Sequence, residues 1–371
     1  MHKLTFFPLG NADCCLVDLD NGQKILFDYG NERDPKDEND LRIDLEKALH
    51  DDLEASERDY YEVVAFTHLD KDHICGASQF FYLEHAKKYQ GEGRVKIQTL
   101  WVPAAVIIEE NCEDEAAIIQ TEARYRLRTG RGIRVFSRPE KLKDWLKEQG
   151  LTLKDREHLI TDAGQFIPGF TKIGQGVEFF VHSPFASRLD DGSLVERNTD
   201  ALVVQATFVF GAIETKLILG SDVKHEVLSE IVKVTKCHHN EARLEWDVFK
   251  LPHHCSYLSL APNKGKDKTK PVPEVEWLFE NQAFEGGKIV STSKPIPTDD
   301  TDNQPPHRQA ANYYRELAQA IKGEFKVTME HPTKSVPEPL VITIDEFGAT
   351  VKKRNIGVIG IISSRPAPRA G

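Results

Sequence analysis

The chain has 371 residues, 40% hydrophobic and 29% charged, and its 48 basic against 59 acidic side chains leave a net charge of −11. That length supports a sizeable core, and one domain spanning 1–371 is expected rather than two. The acidic balance argues against a protein that coats nucleic acid through bulk positive charge, and no run reaches the ~20 apolar residues of a membrane-spanning helix.

In chain order, residues 3–8, 14–19 and 24–28 read as short strands, with Asn21-Gly22 as a hairpin signal. Residues 42–53 carry helical periodicity, 62–66 form a buried strand, and the stretch after the following loop reads as a helix to residue 89. A strand at 99–102 precedes a mainly helical insertion over 104–175. This insertion holds Arg124, Arg126, Arg128, Arg131, Arg134 and Arg138, whose guanidinium groups suit phosphate unless neighbouring acids pair with them. The insertion could also receive a protein partner. Strands are expected at 177–181, 201–208, 215–219 and 246–251, with a helix at 223–234. A basic loop follows at 264–270, then a helix at 307–321, strands at 325–329, 340–344 and 349–353, and a disordered tail at 364–371. The apolar run 356–362 is only strand length. Residues 1–7 do not lead into a signal peptide, because Asp13 and Asp18 cut the apolar segment short. Six cysteines, two of them adjacent at Cys14 and Cys15, do not resemble a disulfide framework. A cytoplasmic location with no membrane partner is expected.

The densest chemistry lies in Thr67-His68-Leu69-Asp70-Lys71-Asp72-His73, directly after the apolar Val63-Val64-Ala65-Phe66. An acidic loop after a strand is commonly solvated surface. Two imidazoles and two carboxylates within six residues instead outline a metal site, and these donors suit zinc, manganese or iron(II). Further donors stand at two other strand ends: Asp222 after Leu217-Ile218-Leu219-Gly220-Ser221, and His253-His254 after Phe249-Lys250-Leu251-Pro252. Together His68, Asp70, Asp72, His73, Asp222 and one or both of His253 and His254 offer enough donors for two divalent ions, zinc or manganese, sharing Asp222. Two ions about 3.5–4 Å apart can clamp the attacking and leaving oxygens of a hydrolytic displacement.

An early Asp after an apolar strand (Ile25-Leu26-Phe27-Asp28-Tyr29-Gly30), the HxDxDH loop, the strand end at Asp222 and the Pro-His-His strand end together resemble the metallo-β-lactamase-fold hydrolases. Within them the chain resembles the ComEC/Rec2-like group, in which an Asp also replaces the second His of the loop. Three other segments look like that group's motifs: Phe7-Pro8-Leu9-Gly10-Asn11-Ala12-Asp13 like its opening turn, Asn198-Thr199-Asp200-Ala201-Leu202-Val203-Val204 like its NxxSLVL strand, and Pro306-His307-Arg308 like its late Gly-His-Pro. The resemblance spans about residues 4–350. Ser221, Cys255 and Pro306 depart from it, Cys255 and Pro306 standing where the pattern has glycine.

The resemblance implies a four-layer αββα sandwich and a phosphodiester hydrolase, a nuclease above all, using a dinuclear site and metal-activated water. It implies Asp72 and His307 as catalytic groups, with Asn198, Ser256 and His307 near substrate and Asp13 and Asp28 lining the site. A hydrolase of a small molecule such as a cyclic nucleotide or lactone is one alternative. A subunit of a multi-protein assembly with weak or no turnover is the other. Cys75 and Cys255 flank the site in sequence and are expected to pack rather than ligate. His238 and His239 are expected on the surface.

Overall fold

The computed structural model describes residues 1–190, 195–299 and 303–352. The expected tail at 364–371 and the apolar run 356–362 lie outside the described residues. The first hairpin closes at Asn21-Gly22, where Leu19 N–H donates to Gln23 O (2.8 Å) and Gly22 N–H to Leu19 O (2.9 Å).

In chain order the strands are β1 (His2–Phe6), β2 (Cys15–Asp18), β3 (Lys24–Phe27), β4 (Tyr60–Ala65), β5 (Phe81–Tyr82), β6 (Val95–Pro103), β7 (Ile133–Phe136), β8 (Ile160–Thr161) and β9 (Val177–Ser183). They continue as β10 (Val203–Phe210), β11 (Ile213–Leu219), β12 (Trp246–Lys250), β13 (Ala283–Ser291), β14 (Glu324–Val327), β15 (Pro332–Thr333), β16 (Val336–Pro337), β17 (Leu340–Asp345) and β18 (Gly348–Val351). The α-helices are α1 (Leu45–Ala55), α2 (Lys71–Ile74), α3 (Ala77–Phe80), α4 (Ala104–Ile108), α5 (Asp114–Thr129), α6 (Glu140–Glu148), α7 (Leu153–Arg156), α8 (Ala186–Asp190), α9 (His225–Cys237), α10 (Pro273–Glu280) and α11 (Arg308–Ala320).

Two sheets dominate. The larger runs β18-β17-β1-β2-β3-β4-β6-β7-β8, with β5 also on β6, and the smaller runs β14-β13-β12-β11-β10-β9. Because side chains alternate faces along a strand, each sheet has one face for the other sheet and one for helices. Phe6, Val17, Phe27 and Val63 of the larger sheet share a buried layer with Phe179, Val204, Leu217 and Val248 of the smaller. Their neighbours Leu16, Leu26 and Val64 turn the other way, into a cluster with Leu49 of α1, Ile119 of α5 and Leu146 of α6. On the far side Ile218, Phe249 and Ile289 pack with Leu228 of α9, Leu278 of α10 and Tyr314 of α11. The layers are therefore α, β, β, α, as expected. Trp101 sits in the middle layer, edge-on to Phe27, Phe136 and Phe179. Its truncation to alanine is worth about 3–5 kcal/mol.

Four expectations are revised locally. The helix expected to reach residue 89 is two single turns, α2 and α3, separated at Gly76 (φ +83), after which β5 joins β6. The insertion is mainly helical but also adds β7 and β8 in parallel to the edge beyond β6. Strand β13 lies between β12 and β14, although Glu285-Gly286-Gly287 in its first half hide it from any hydrophobic pattern. The arginine run is also largely consumed within the fold. Buried Arg126 donates to Glu122 (2.6 Å) and to the carbonyls of Ile97 and Gly132, Arg124 donates to Ile107 O, Arg134 to His158 O, and Arg138 pairs with Asp162. Among the described residues no helix is long and apolar enough to cross a membrane.

Candidate metal centre

Parallel pairing brings the ligand loops together. Strands β3 and β4 pair with Phe27 opposite Ala65, so Asp28 and the loop from Thr67 leave the larger sheet side by side. Strands β11 and β12 pair with Leu219 opposite Lys250, so Ser221-Asp222 and Pro252-His253-His254 leave the smaller sheet side by side. Backbone hydrogen bonds tie the loops into one floor: Asp13 N–H to Asp72 O (2.9 Å), Tyr29 N–H to His73 O (2.8 Å), Leu202 N–H to Thr67 O (3.0 Å) and His253 N–H to Ser221 O (3.2 Å). Gly30 is required at this floor, since a β-carbon there would stand 1.9 Å from Asp72 O.

Asp72, His73, Asp222 and His254 converge, each offering one donor atom within 4.8 Å of all the others. His73 Nε2 lies 3.3 Å from Asp222 Oδ1 and 3.9 Å from Asp72 Oδ2, and His254 Nε2 lies 2.8 Å from Asp72 Oδ2 and 3.5 Å from Asp222 Oδ2. Imidazole nitrogen with carboxylate oxygen is the donor chemistry of zinc and manganese sites.

The surrounding groups fix how these side chains point. His73 Nδ1 faces Asp28 Oδ2 at 2.8 Å and His254 Nδ1 faces the Thr292 carbonyl at 2.7 Å. Both partners are acceptors, so each Nδ1 carries the hydrogen and each Nε2 lone pair is directed into the cluster once the ring is neutral. Asp28 is held by the N–H (2.7 Å) and hydroxyl (2.8 Å) of Thr67. Among the described residues His73 Nε2 and His68 Nε2 are buried and make no hydrogen bond of good geometry, their carboxylate neighbours standing 3.3 and 3.4 Å away, an arrangement that a bound cation would complete. The residues therefore fit a divalent ion.

Electrostatics agree with that fit. Burial opposes charging His73, but Asp28, Asp222 and Asp72 outweigh it and lift the imidazolium well above the ordinary histidine range. Burial likewise opposes charging His254, and Asp222 and Asp72 push it up to about 9. Burial would raise Asp222, yet His254, His73 and Lys250 hold it well below the usual carboxylate range. Asp72 is held low against burial by His73 and His254. Two protons thus stand in for cationic charge among ionised carboxylates.

The other expected residues divide. His68 joins Asp70 (Nε2 to Oδ2, 3.4 Å), but no third donor completes that pair within the described residues. Of the histidine pair, His254 enters the converged set. His253 instead lies with Nδ1 3.2 Å from Asn198 Nδ2, and its N–H donates to Asp222 Oδ1. Asp13 stands 3.7 Å from His73 Nε2 and pairs with buried Lys250, so Asp13 and Asp28 both line the floor.

Two residues expected near substrate are buried and hydrogen-bonded within the fold. Ser256 is buried and its hydroxyl accepts from Leu258 N–H (3.2 Å), making it a turn cap. His307 is buried at the start of α11, outside the converged set, with Nδ1 accepting from Tyr257 N–H (3.4 Å) and Nε2 facing Asn303 O (3.1 Å). The sequence reading missed Lys250, Thr67, Arg197 and Glu109. Lys250 and Thr67 adjoin the signature segments, and a charged residue inside an apolar strand was the available signal for Lys250.

No protein-family model and no curated protein matches the chain. Among solved structures it is similar to unliganded yeast PDE1, with TM-score 0.42 and 11% identity over 88% of this chain and 96% of that one. It is also similar to a long-form RNase Z from yeast (TM-score 0.34, 12% identity, 88% of this chain and 40% of that one) and to a diphosphatase from the PhnP family (0.29, 13%, 82% and 93%). The αββα architecture itself follows from the two sheets and the buried layers around them. It is the architecture that the sequence resemblance to metallo-β-lactamase-fold hydrolases implies.

Proposed function

We propose that this protein is a metal-dependent phosphodiester hydrolase of the ComEC/Rec2-like group. The observation that carries the reading is the convergence of Asp72, His73, Asp222 and His254, with the Nε2 atoms of both histidines turned toward the two carboxylates. A divalent ion there, zinc or manganese, would lower the pKa of water and offset the charge of an anionic transition state. The chain's own groups do the rest. Asp28 and Thr292 O hold the two imidazoles in the ligating tautomer, and Asp72 and Asp222 stay ionised at neutral pH. In this reading Asp72, the more exposed of the two carboxylates, orients the attacking water.

Nucleic acid is the substrate suggested by the motifs, and exposed Lys266, Lys268 and Lys270 follow the histidine pair in a loop docked on α11. A small phosphodiester is the second reading. It is favoured by the net charge of −11 and by the arginine run, in which Arg124, Arg126, Arg134 and Arg138 are tied up within the fold while Arg128 and Arg131 remain exposed.

The test is manganese- or zinc-dependent cleavage of single-stranded DNA, double-stranded DNA and bis(p-nitrophenyl) phosphate by the native protein and by Asp222→Asn. Cleavage abolished in the variant is expected, with DNA preference selecting the nuclease and activity on the small ester alone selecting the second reading. Metal uptake with no cleavage of any diester would refute the hydrolase and leave an assembly subunit.

A further inference from the structure

We infer that Lys250 is a positioning residue of this centre: its buried ammonium ties the donors carried by the larger sheet to those carried by the smaller one, and so holds the geometry in which a divalent ion binds. The inference rests on the metal-centre reading above and deepens it by naming a residue that shapes the site without donating to the ion.

The donor set is built in two halves. Asp72 and His73 follow β4 of the larger sheet, and Asp222 and His254 follow β11 and β12 of the smaller one. Among the described residues no strand of one sheet pairs with a strand of the other, so the register between the halves is set by loop contacts. Lys250, the last residue of β12, supplies a buried one. Its Nζ donates to Asp13 Oδ2, on the larger-sheet side, and to Ser221 O (3.3 Å), on its own side. Both ends lie one step from the donors. Asp13 N–H donates to Asp72 O (2.9 Å), and Asp13 O accepts from Gly30 N–H (2.9 Å). Ser221 precedes Asp222 and stands at φ +48, a conformation that persists only where surrounding structure enforces it. At the rim Arg197 makes a second tie, from Nη1 to Leu69 O (2.8 Å) and Asp70 Oδ1 (3.1 Å), and is itself held by Glu109. Solvent reaches that tie, whereas Lys250 is 4% exposed.

Charge alone does not explain Lys250. An ammonium in an apolar strand gives up its hydration, and a buried ion pair is commonly no more stable than an apolar pair of the same volume. Burial opposes charging Lys250, but Asp13, Asp222 and Asp28 outweigh it and keep the group cationic, so its field repels an incoming metal ion. Removing a mere counter-ion would therefore tighten metal binding, and removing a positioning residue would loosen it. The two roles predict opposite signs. Asp13 also belongs with Asp28 and His73 to a second group of close donors, so the ammonium on its carboxylate fixes Asp13 beside His73 as well.

The test is Mn²⁺ affinity of the full chain, read by competition with a chelating indicator at one fixed pH, together with amide hydrogen exchange of the metal-free protein. Neither needs a substrate. Lys250→Met is expected to weaken Mn²⁺ binding about 10–100-fold, the range for residues that orient a metal's ligands. It should also speed exchange at the amides of Asp13 and His253, one from each half, while the ladders joining β3 with β4 and β11 with β12 keep their protection. The double variant Lys250→Met, Asp13→Asn leaves no partner of the pair charged, and it decides the matter where Lys250→Met alone does not fold. It should melt close to the native protein and still exchange fast at both loops. Lys250→Met that binds Mn²⁺ as tightly as the native protein, or more tightly, would overturn the inference and leave the metal-centre reading standing. Native exchange at both loops in the double variant would overturn it too, by reducing Lys250 to the partner of Asp13's charge. A double variant that does not fold would make Lys250 a requirement of the fold and likewise overturn the assignment. No Mn²⁺ uptake by the native protein would overturn both this inference and the metal-centre reading.

Discussion

Metal binding at this centre must displace protons, and the structure sets how many. In the metal-free protein at pH 7 His254 is protonated, with its pKa pushed up to about 9, and His73 lies well above the ordinary range as well. Ligation needs both Nε2 lone pairs, so about two protons leave per ion bound. For His254 alone the penalty at pH 7 is about two pH units at about 1.4 kcal/mol each, or about 3 kcal/mol, equivalent to roughly a hundredfold in apparent affinity. His73 adds to this in the same direction. Apparent Mn²⁺ affinity should therefore rise with pH between 7 and 9, with a slope between one and two, and flatten as His254 passes its own pKa. The same shift acts on the metal-free fold with the opposite sign. Because the folded pKa is raised above the unfolded value near 6.5, the stabilisation is fully present below pH 6.5 and is lost as pH rises through about 9. Competition against a chelating indicator dye across that range measures the slope, and calorimetry in two buffers of different ionisation enthalpy counts the protons. An affinity that is flat from pH 7 to 9, with no proton release, would refute the electrostatic reasoning.

Three substitutions extend it. Gly30→Ala puts a β-carbon 1.9 Å from Asp72 O, so it should cost more than about 2 kcal/mol and disturb the metal loop; thermal melting within about 2 °C of the native protein would contradict the close approach. Asp28→Asn removes the anionic acceptor from His73 Nδ1 and should weaken metal binding about 10–100-fold without emptying the four-donor set, which the indicator titration reads directly. Cys255 has φ +64, so Cys255→Val should destabilise by about 1–3 kcal/mol while Cys255→Gly is tolerated to within about 1 kcal/mol. Equal denaturation midpoints for Val and Gly would refute the strain.

Much of this was legible because the informative signals are local. Buried parallel strands appear as short apolar runs, and the donors follow them directly, so Asp72, His73, Asp222 and His254 could all be named before any fold was known. What the sequence hides is set by register. Whether His253 or His254 faces the cluster depends on three successive residues with φ between +50 and +64, a path no propensity encodes. Strand β13 was invisible because it is defined by its neighbours β12 and β14, and its glycines and Glu285 carry no alternation. His307 and Ser256 were chosen by position in a motif. Their hydrogen bonds to a neighbouring turn, at 3.4 Å and 3.2 Å, exist only in three dimensions.

Backbone strain singles out the same loops independently of any motif. Of the eleven non-glycine residues at positive φ among the described residues, five are Asp28, Ser221, His253, His254 and Cys255, all at the strand ends that build the centre. Each such residue costs of order 1–3 kcal/mol, and strain persists only where surrounding structure enforces it. Here the enforcement is visible: β3 and β4 fix Asp28, whose carboxylate is held by Thr67, while β11 and β12 fix Ser221 and the histidine pair, whose carbonyl and N–H groups bond one another. Two stiff sheets packed face to face can hold five unfavourable conformers where one loop on a flexible scaffold would relax. The buried Nε2 atoms of His68 and His73, which make no good hydrogen bond among the described residues, are a second cost borne at the same place. A fold tolerates both together where the strained geometry is completed by a bound cation, which is why the centre at the ends of β4, β11 and β12 is the place to look for the activity of this chain.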